Sequence, residues 1–425
     1  MSSAEKGNLM RAMFARAVEA ADPTQFMPEA IQSLLPDNVK GRLFVTGFGK
    51  ASAVMARTAE AHLPAAVRPD YSGEVIVPDG HEEVCQAIRI TSASHPVPDA
   101  RGHAVTARIL AEARSLGADD LMLVLVSGGG SSLFCLPHDV ISLEQKQQIT
   151  SQLLAAGAPI DEMNCVRKHL SAVKGGQLAA AAFPARTVAL AISDVPGDSP
   201  AVIASGPTVA DPTTAADARA ILARYQIDLP PDVAAFLDSP DCETPFADDA
   251  CLAASEVHLV ATPQKSLAAA AEMGVQAGYE PVILGDALQG SSRDLAAWMA
   301  HKARNAGPGK ALISGGETTV IVRGSGYGGR NAEFLHALAL AFDGDDRFWA
   351  LAADTDGIDG RPLPDWPVAG AVITPDTLSR AAAMGLDAAA LLADNDSHSL
   401  FAALGQGIVT GPTKTNVNDF RVVLT

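Results

Sequence analysis

The sequence predicts an α/β protein of two domains, and three observations lead to this prediction. With 425 residues the chain is too long for one hydrophobic core of ordinary size. Short apolar runs alternate with helical patterns in both halves, as in parallel sheets that are covered by helices on both faces. A stretch rich in Pro, Asp and Ser over 229–249 separates the halves. We therefore expect a larger N-terminal domain over 1–240, a Rossmann-like α/β/α sandwich with a mostly parallel sheet, and a smaller C-terminal α/β domain over 251–425.

The individual elements follow from the spacing of apolar residues. Met10, Met13, Phe14 and Val18 recur at intervals of three and four, so the region 5–35 is predicted to be helical. Later helical patterns cover stretches such as 103–115 and 176–182, and they alternate with short apolar runs. The predicted strands are 43–46, 74–77, 90–93, 121–126 and 187–192 in the first half and 257–261, 281–284, 310–314, 348–352 and 421–424 in the second. The last of these strands could join either sheet.

Composition limits the class of function. A hydrophobic fraction of 48% with 19% charged residues is typical of a folded globular protein. The formal net charge of -18 argues against general binding to nucleic acid or to an anionic membrane, although a few basic residues can still gather around a small anion. The five cysteines are scattered without a CxxC pair, which favours reduced thiols. We expect a cytoplasmic protein, monomeric or homodimeric, that binds small molecules and neither nucleic acid nor membranes.

Three glycine-rich turns follow apolar strands, at 47–50, 127–132 and 314–317. Such turns let backbone amides approach an anion closely. In the first turn, Gly49 precedes Lys50 at a predicted helix start, where a lysine is unfavourable unless an anion lies nearby. An ordinary surface lysine is the alternative. The turn also resembles a dinucleotide fingerprint, but it ends G-x-G-x-x-S, and no acidic residue closes the next strand at the usual offset.

The second turn has three consecutive glycines flanked by serines. Exposed amides and hydroxyls suit an oxyanion, so this turn is predicted to hold a phosphate or a carboxylate, with a plain tight turn as the alternative. It is not a Walker A loop, because no Gly-Lys-Ser/Thr follows it, and it lacks the G-x-S-x-G pattern of a serine nucleophile. The predicted binding residues are Ser127, Gly128, Gly129, Gly130 and Ser131.

A basic cluster lies further along the chain. It contains Arg167 and Lys168, followed by Ser171 and Lys174. If the helix continues through this segment, Arg167, Ser171 and Lys174 fall on one face. Such a cluster can neutralise a polyphosphate or a small acid, and a solvated basic face is the alternative. Arg167 and Lys168 are therefore candidate binding residues.

Acidic residues follow two predicted strands. Asp194 and Asp198 come after the strand 187–192, where carboxylates suit magnesium binding or general-base catalysis, although Asp is also an ordinary turn residue. Asp354 and Asp356 begin a D-x-D-G-x-D segment that lacks the full spacing of a calcium loop, so a magnesium or ribose site is the better interpretation.

The remaining candidates belong to the C-terminal half. Glu317 closes the third glycine-rich turn. The glycine-rich segment 324–329 precedes Arg330 and Asn331, and it is predicted to be a flexible loop that delivers the guanidinium group to a phosphoryl group in transfer. Lys414 lies in a polar loop just before the last strand.

Together these motifs resemble the class II glycerate 2-kinases, whose second domain is known as the MOFRL domain. The resemblance covers nearly the whole chain, and no single motif in it is specific, but nine in one order are. They are GFGKA (47–51), SHPVPD (94–99), VSGGGSS (126–132), VRKHLS (166–171), SDVPGD (193–198), SGGET (314–318), GGRNAE (328–333), DTDGIDG (354–360) and TGPTKTNVND (410–419).

The resemblance implies ATP-dependent phosphorylation of D-glycerate at its 2-hydroxyl, with Mg²⁺ or another divalent cation. Because ligands of α/β sheets bind beyond the carboxyl ends of strands, we expect the active site in a cleft between the two domains, lined by the glycine-rich turns. The resemblance also implies that the catalytic lysine and arginine are Lys50 and Arg330, and we add Asp194 as candidate base or metal ligand, helped by Asp198. Members of this family have been labelled hydroxypyruvate reductases, so a nicotinamide-dependent reductase is the alternative enzyme. A non-catalytic binding protein for an anionic metabolite is the third interpretation.

Overall fold

A computed structural model describes residues 1–35, 39–64 and 71–425. These residues form two units: the N-terminal unit is Phe26–Ser193 with Asp198–Val260, and the C-terminal unit is Met1–Gln25, Asp194–Gly197 and Ala261–Thr425. None of the helices in this part of the chain is long and apolar enough to cross a membrane.

Helices and strands alternate along the described chain. The strands are β1 Leu43–Phe48, β2 Tyr71–Pro78, β3 Ile88–Ala93, β4 Leu121–Val126, β5 Arg186–Ile192, β6 Ser255–Ala261, β7 Glu280–Gly285, β8 Lys310–Ser314, β9 Trp349–Asp354, β10 Gly370–Ile373, β11 Gly407–Ile408 and β12 Asp419–Leu424. The α-helices are α1 Ser3–Ala20, α2 Pro23–Leu34, α3 Ser52–His62, α4 Ala100–Arg114, α5 Gly130–Leu133, α6 Leu143–Ala155, α7 Ile160–His169, α8 Gln177–Ala182, α9 Ala215–Arg224, α10 Pro231–Leu237, α11 Pro263–Gln276, α12 Ser292–Asn305, α13 Arg330–Phe342, α14 Thr377–Ala383, α15 Ala388–Ala393 and α16 Ser397–Leu404. All the strands predicted from the sequence are present.

The sheet of the N-terminal unit has the strand order β3-β2-β1-β4-β5-β6. Strands β1 to β5 pair in parallel, and β1, β4 and most of β5 are buried along their length, as expected for apolar strands that are covered on both faces. The order reverses between β1 and β4, and ligands of open α/β sheets bind beyond the carboxyl ends of strands at such a reversal. The turns 49–51 and 127–130 lie at this position, directly after β1 and β4.

Glycine is required where β1 and β4 end, because the two turns approach each other closely. A Cβ atom at Gly47 would lie 2.5 Å from the carbonyl oxygen of Leu125. Gly49 has a φ of +132°, and its Cβ would lie 2.3 Å from the Ser127 hydroxyl oxygen. These glycines therefore allow the two turns to pack against each other.

The sheet of the C-terminal unit is mixed, with the order β11-β10-β9-β12-β8-β7. Only β7 and β8 pair in parallel among its described neighbours, and β12 runs antiparallel to both β8 and β9. The last strand, which the sequence could not place, is therefore central in the second sheet.

Helix α1 packs in the C-terminal unit, although it begins the chain. Its residues Met10, Met13 and Phe14 are fully or almost fully buried in a cluster that includes Phe420 of β12, and the Phe14 and Phe420 rings are 6.0 Å apart. In this respect the units differ from the division into 1–240 and 251–425, which treats the first helix as part of the N-terminal domain.

Candidate functional site

The structure brings the first two glycine-rich turns together where β1 and β4 end. The Lys50 backbone N–H donates a hydrogen bond to the Gly128 carbonyl oxygen at 2.9 Å. The buried Ser127 hydroxyl accepts from the Ala51 N–H at 3.0 Å and lies 3.1 Å from the Ser52 hydroxyl oxygen. The Ser127 side chain therefore joins the two turns, while the Lys50 side chain is half-buried at the strand ends.

The rest of the second turn is also packed closely. Gly129 has a φ of +83°, and a Cβ there would lie 2.9 Å from Nε2 of His95. A Cβ at Gly130, the first residue of α5, would lie 3.0 Å from that of Ala204. These glycines are thus needed for packing within the protein, whatever the turn binds.

A cavity of about 470 Å³ adjoins this turn in the N-terminal unit. Three cationic side chains, Lys146, Arg167 and Lys174, share it with Ser131. Lys174 Nζ donates to the Ser131 carbonyl oxygen at 2.7 Å. The other residues that line it are His95, Pro96, Val97, Pro98, Gly129, Ser132, Cys135, Leu143, Gln147, Thr150, Ser151 and Leu154.

The three cations of this cavity are poorly compensated. Lys146 Nζ is buried and has no hydrogen-bond partner among the described residues. The Arg167 guanidinium reaches Asn164 Oδ1 at 3.5 Å. Burial, with the Lys146 charge nearby, lowers the pKa of Lys174 to about 7, and burial also lowers the pKa of Lys146 and of Arg167.

Lys168 has a different environment from its neighbour Arg167. Its Nζ lies 3.1 Å from the Asp211 Oδ1, and both side chains are buried. The prediction of one helical face for Arg167, Ser171 and Lys174 is wrong, because α7 ends at His169. Arg167 and Lys174 nevertheless line the same cavity, since the chain turns after the helix.

The two acidic residues that follow β5 differ in their surroundings. The Asp198 Oδ1 is buried and has no hydrogen-bond partner among the described residues, and Asp198 has a φ of +52°. Asp194, two residues beyond the end of β5, is half-buried.

In the C-terminal unit, Arg330 is the first residue of α13 and contacts three carboxylates. Its Nη2 donates to Asp354 Oδ2 at 2.6 Å, its Nε to Asp419 Oδ1 at 2.8 Å, and its Nη1 to Glu317 Oε1 at 2.8 Å. Asn331 Nδ2 donates to the same Asp419 oxygen at 2.7 Å. The structure thus brings together Glu317, Arg330, Asn331 and Asp354, which the sequence had singled out separately.

Burial and the neighbouring charges shift the pKa values of Arg330 and Asp354. Burial alone would lower the pKa of Arg330, but Asp419, Asp354 and Glu317 raise it above its usual range, so the guanidinium stays charged. Burial and the neighbouring Asp356 raise the pKa of Asp354, an effect that Arg330 opposes. Asp419 also forms a fully buried ion pair with Arg421.

The glycine-rich segment before Arg330 is anchored, so the prediction of a flexible loop is wrong. The backbone N–H groups of residues 323 and 324 donate to Asn395 Oδ1, and those of residues 325 and 327 donate to the carboxylates of Asp394 and Asp396. A Cβ at Gly324 or Gly326 would collide with this same 394–396 segment. The glycines therefore fit one segment against another, and this fixes the start of α13.

The D-x-D-G-x-D segment also forms hydrogen bonds with the first turn of α13. Asp359, its last acidic residue, accepts from the backbone N–H groups of Asn331 and Ala332 at 3.0 and 2.9 Å. Asp356 Oδ1 accepts from the Ile358 N–H at 2.9 Å. Lys414 is half-buried with a φ of +59° in the loop before β12. Over the described ranges, no three His, Cys, Asp or Glu side chains are grouped as a metal site.

Sequence reasoning missed several residues of these two sites. Asp419 was quoted only as the end of a polar loop, and Lys146 lies on α6 without any local motif. Lys174 was grouped with Arg167 as part of a basic cluster on one helical face, but the helix ends at His169, so that face is not the reason that they meet. For these residues, the order of amino acids along the chain does not indicate which side chains meet in the folded protein.

Comparisons with known proteins cover both units. A family model described as a domain of unknown function, DUF4147, matches residues 9–238, and the MOFRL family model matches residues 310–419. A protein of Agrobacterium vitis, provisionally named hydroxypyruvate reductase, is 48% identical over 425 residues that cover 98% of this chain and 94% of that protein. A D-glycerate 2-kinase of Thermotoga maritima is 38% identical over 417 residues that cover 96% of each chain.

A solved structure has the same fold. The crystal structure of a glycerate kinase from Thermotoga maritima matches with a TM-score of 0.88 at 37% identity and covers 99% of both chains. The predicted two-domain α/β fold class is thereby confirmed.

Proposed function

Since this chain belongs to the glycerate kinase family that combines a DUF4147 and a MOFRL domain, we propose that it transfers the γ-phosphoryl group of ATP to the 2-hydroxyl of D-glycerate. The products are 2-phosphoglycerate and ADP. One observation carries the proposal: the relative named D-glycerate 2-kinase aligns with 96% of this chain at 38% identity. The cationic cavity of the N-terminal unit, lined by Lys146, Arg167 and Lys174, is consistent with anionic substrates.

Lys50 and Arg330 are the proposed catalytic residues. Phosphoryl transfer depends on positioning and charge neutralisation more than on covalent chemistry, and two cations at the transferred group supply both. Lys50 lies beyond the carboxyl end of β1, where the strand order reverses.

The geometry around Arg330 suits an arginine that is oriented in advance to contact a phosphoryl group. Three hydrogen bonds to carboxylates use three of the five N–H donors of a guanidinium, which leaves two for a substrate oxygen. These bonds also hold the side chain in one orientation before any substrate binds. An arginine that is ordered in advance loses little entropy when it contacts a phosphoryl group.

A divalent cation fits one position in particular. The buried Asp198 Oδ1, which has no hydrogen-bond partner in the described part of the chain, is suited to be a metal ligand, since magnesium commonly uses one or two carboxylates and completes its shell with phosphates and water. Asp194 is proposed beside it as ligand or general base. When bound, the cation would neutralise charge on the β- and γ-phosphates of ATP. Asp354 and Asp356 are weaker candidates, because Asp354 already binds Arg330.

Further residues are proposed to contact the substrates. Gly49 and the turn Ser127–Ser131 are assigned to an anionic group, most simply a phosphate of ATP, and Glu317, Asn331 and Lys414 to substrate or nucleotide contacts. A cytoplasmic location, the choice between monomer and homodimer, and the absence of nucleic-acid partners are predictions from the sequence.

The catalytic assignment is tested with Lys50→Ala and Arg330→Ala in an assay of ADP release. Each variant should lower kcat by about 10³-fold while changing the KM for ATP much less, the size of effect that an arginine finger has on phosphoryl transfer. Lys302→Ala is the matched control, because Lys302 is exposed on α12. Thermal unfolding verifies that each variant is folded, and wild-type turnover in either one would contradict the assignment.

The reductase remains the second candidate for two reasons. A 48% identical relative carries that name, and the order 3-2-1-4-5-6 is that of dinucleotide-binding sheets. Asp79 follows β2, where such proteins hold the ribose, but here its carboxylate receives two hydrogen bonds from Arg101, at 2.7 and 2.9 Å. Oxidation of NADH by hydroxypyruvate with the purified protein would favour the reductase, and its absence beside ADP release would exclude it.

A further inference from the structure

The cavity beside the second glycine-rich turn has an unusual balance of charge. The chain contains 49 Asp and Glu residues and 31 Lys and Arg residues. Yet the described residues that line this cavity include Lys146, Arg167 and Lys174 and no carboxylate. In an acidic protein, three cations around one cavity do not arise from general surface composition.

Lys146 provides an independent observation. Its side chain is only 4% exposed, and its Nζ has no hydrogen-bond partner among the described residues. An ammonium group removed from water without a partner is costly, and buried lysines are normally paired. In the same unit, the buried Lys168 is paired in this way, because it forms an ion pair with Asp211. A lysine of the core would be expected to have such a carboxylate.

The polar groups that line the cavity beside Lys146 also suit a bound anion. Lys174 is held at the Ser131 carbonyl oxygen, and the Ser131 hydroxyl oxygen lies 2.8 Å from that of Ser205. Arg167 is half-buried and contributes a guanidinium from α7. Ammonium, guanidinium and hydroxyl groups that line one cavity are the donors that bind oxyanions with charge-assisted hydrogen bonds.

We infer that this cavity is a binding site for an oxyanion of the substrates, with Lys146, Arg167 and Lys174 as its cationic ligands and Ser131 as an uncharged one. The inference deepens the proposed function, on which it rests for the identity of the anion. Two substrate groups share this chemistry, a phosphate of the nucleotide and the carboxylate of the hydroxy acid. The cavity volume of about 470 Å³ is within the range of sites that enclose whole small ligands.

Binding of an anion here has a consequence for protonation. The titratable or charged groups that face Lys174 are Lys146, Arg167, Lys168 and Cys135. Because burial lowers the pKa of Lys174 to about 7, most of this lysine is neutral at pH 8 in the absence of a ligand. A bound anion favours the charged form, so the protein should take up protons from the buffer when it binds its ligand at pH 8.

The test uses Lys146→Met in the full chain, with Lys302→Met as the matched control on the exposed face of α12. Binding of inorganic phosphate, ADP and D-glycerate is measured separately by calorimetry, with no turnover required. The loss of a charge-assisted hydrogen bond should weaken the affected ligands by about tenfold to a hundredfold. Loss of ADP affinity identifies the nucleotide phosphate, and loss of D-glycerate affinity identifies the carboxylate.

Stability separates a ligand role from a structural one. Removing an unpaired buried charge should leave the apo protein as stable as the wild type or more stable, whereas a lysine that supports the fold would lower its Tm. If Lys146→Met does not fold, Lys146→Gln, which keeps a polar end, is measured in its place. Calorimetry of the wild type at pH 8 in two buffers of different ionisation enthalpy should reveal proton uptake, and Lys174→Met should abolish it.

Three results would overturn the inference. They are wild-type protein that binds none of the three probes, Lys146 variants whose affinities equal those of the Lys302→Met control, and a lower apo Tm with unchanged binding. ADP release measured in parallel keeps the two proposals apart. Unchanged binding in an active kinase contradicts only the inference, and Lys146-dependent phosphate binding in a protein without kinase activity contradicts only the proposed function.

Discussion

Replacing Arg330 with methionine should destabilise the C-terminal unit strongly, because it leaves a buried carboxylate without its cation. The Glu317 side chain is 52% exposed, so its ion pair contributes little. Asp419 is fully buried but keeps Arg421 and Asn331 as partners. Asp354, with a side chain only 5% exposed, loses its guanidinium. Breaking such a buried pair costs about 3–5 kcal/mol at neutral pH.

The penalty should depend on pH in a defined direction. Burial and Asp356 raise the pKa of Asp354, and Arg330 opposes them, so the pKa of Asp354 rises further in the variant. A carboxyl group whose folded pKa exceeds its unfolded value stabilises the fold when protonated and loses that contribution as pH rises through the folded pKa. The variant should therefore lose less stability at pH 5 than at pH 8, relative to wild type.

Urea unfolding at several pH values measures both effects. The matched control is Arg16→Met, since the Arg16–Glu19 ion pair on α1 belongs to the same unit and is exposed, and it should cost less than about 1 kcal/mol. The double variant Arg330→Met/Asp354→Asn removes the unpaired charge and should recover part of the loss. A loss of stability in Arg330→Met that is no larger than in the control, or that is unchanged between pH 5 and 8, would show that Asp354 does not depend on Arg330 for its charge balance.

The remaining predictions concern the N-terminal unit. Lys168→Met should cost about 3–5 kcal/mol in unfolding free energy because it leaves the buried Asp211 carboxylate without its cation and, among the described residues, with only the hydrogen bonds from Thr213. Combination with Asp211→Asn should restore part of this loss, and a higher KM without loss of stability would instead support a binding role. Gly49→Ala should lower stability by more than about 1 kcal/mol, since its Cβ would meet the Ser127 side chain at a φ of +132°, and an unchanged Tm would contradict this. Because the pKa of Lys174 is lowered to about 7 in the folded protein, Lys174 binds fewer protons there than in the unfolded protein above pH 7. The stability of the wild type should therefore rise relative to that of Lys174→Met between pH 7 and 9. The affinity of the wild type for phosphate should fall over the same range.

Much of the fold was predictable because its strands are short, buried and apolar. β4 was predicted with its observed ends, and the reversal of strand order lies at the turns that the glycines had indicated. β10 and β11 were missed, since runs of four and two residues are too short to show a pattern. The place of β12 was open because strand pairing between distant segments leaves no local signal.

The sites were predictable as residues but not as arrangements. Glu317 and Asp354 were singled out as metal or nucleotide contacts, whereas both bind Arg330 in the structure. Lys168 was grouped with Arg167 by sequence, but its ion pair with Asp211 depends on a segment 43 residues away. Such pairings are set by tertiary packing, which spacing along the chain does not encode.

Phosphorus NMR of the purified protein with ATP, Mg²⁺ and D-glycerate would show directly whether the protein is a D-glycerate 2-kinase. We expect the signal of 2-phosphoglycerate to grow together with that of ADP, and both to be absent when D-glycerate is omitted. A 3-phosphoglycerate signal would contradict the assignment of the attacked hydroxyl. No phosphoryl transfer from a folded protein would contradict the kinase itself, and with it the roles of Lys50 and Arg330.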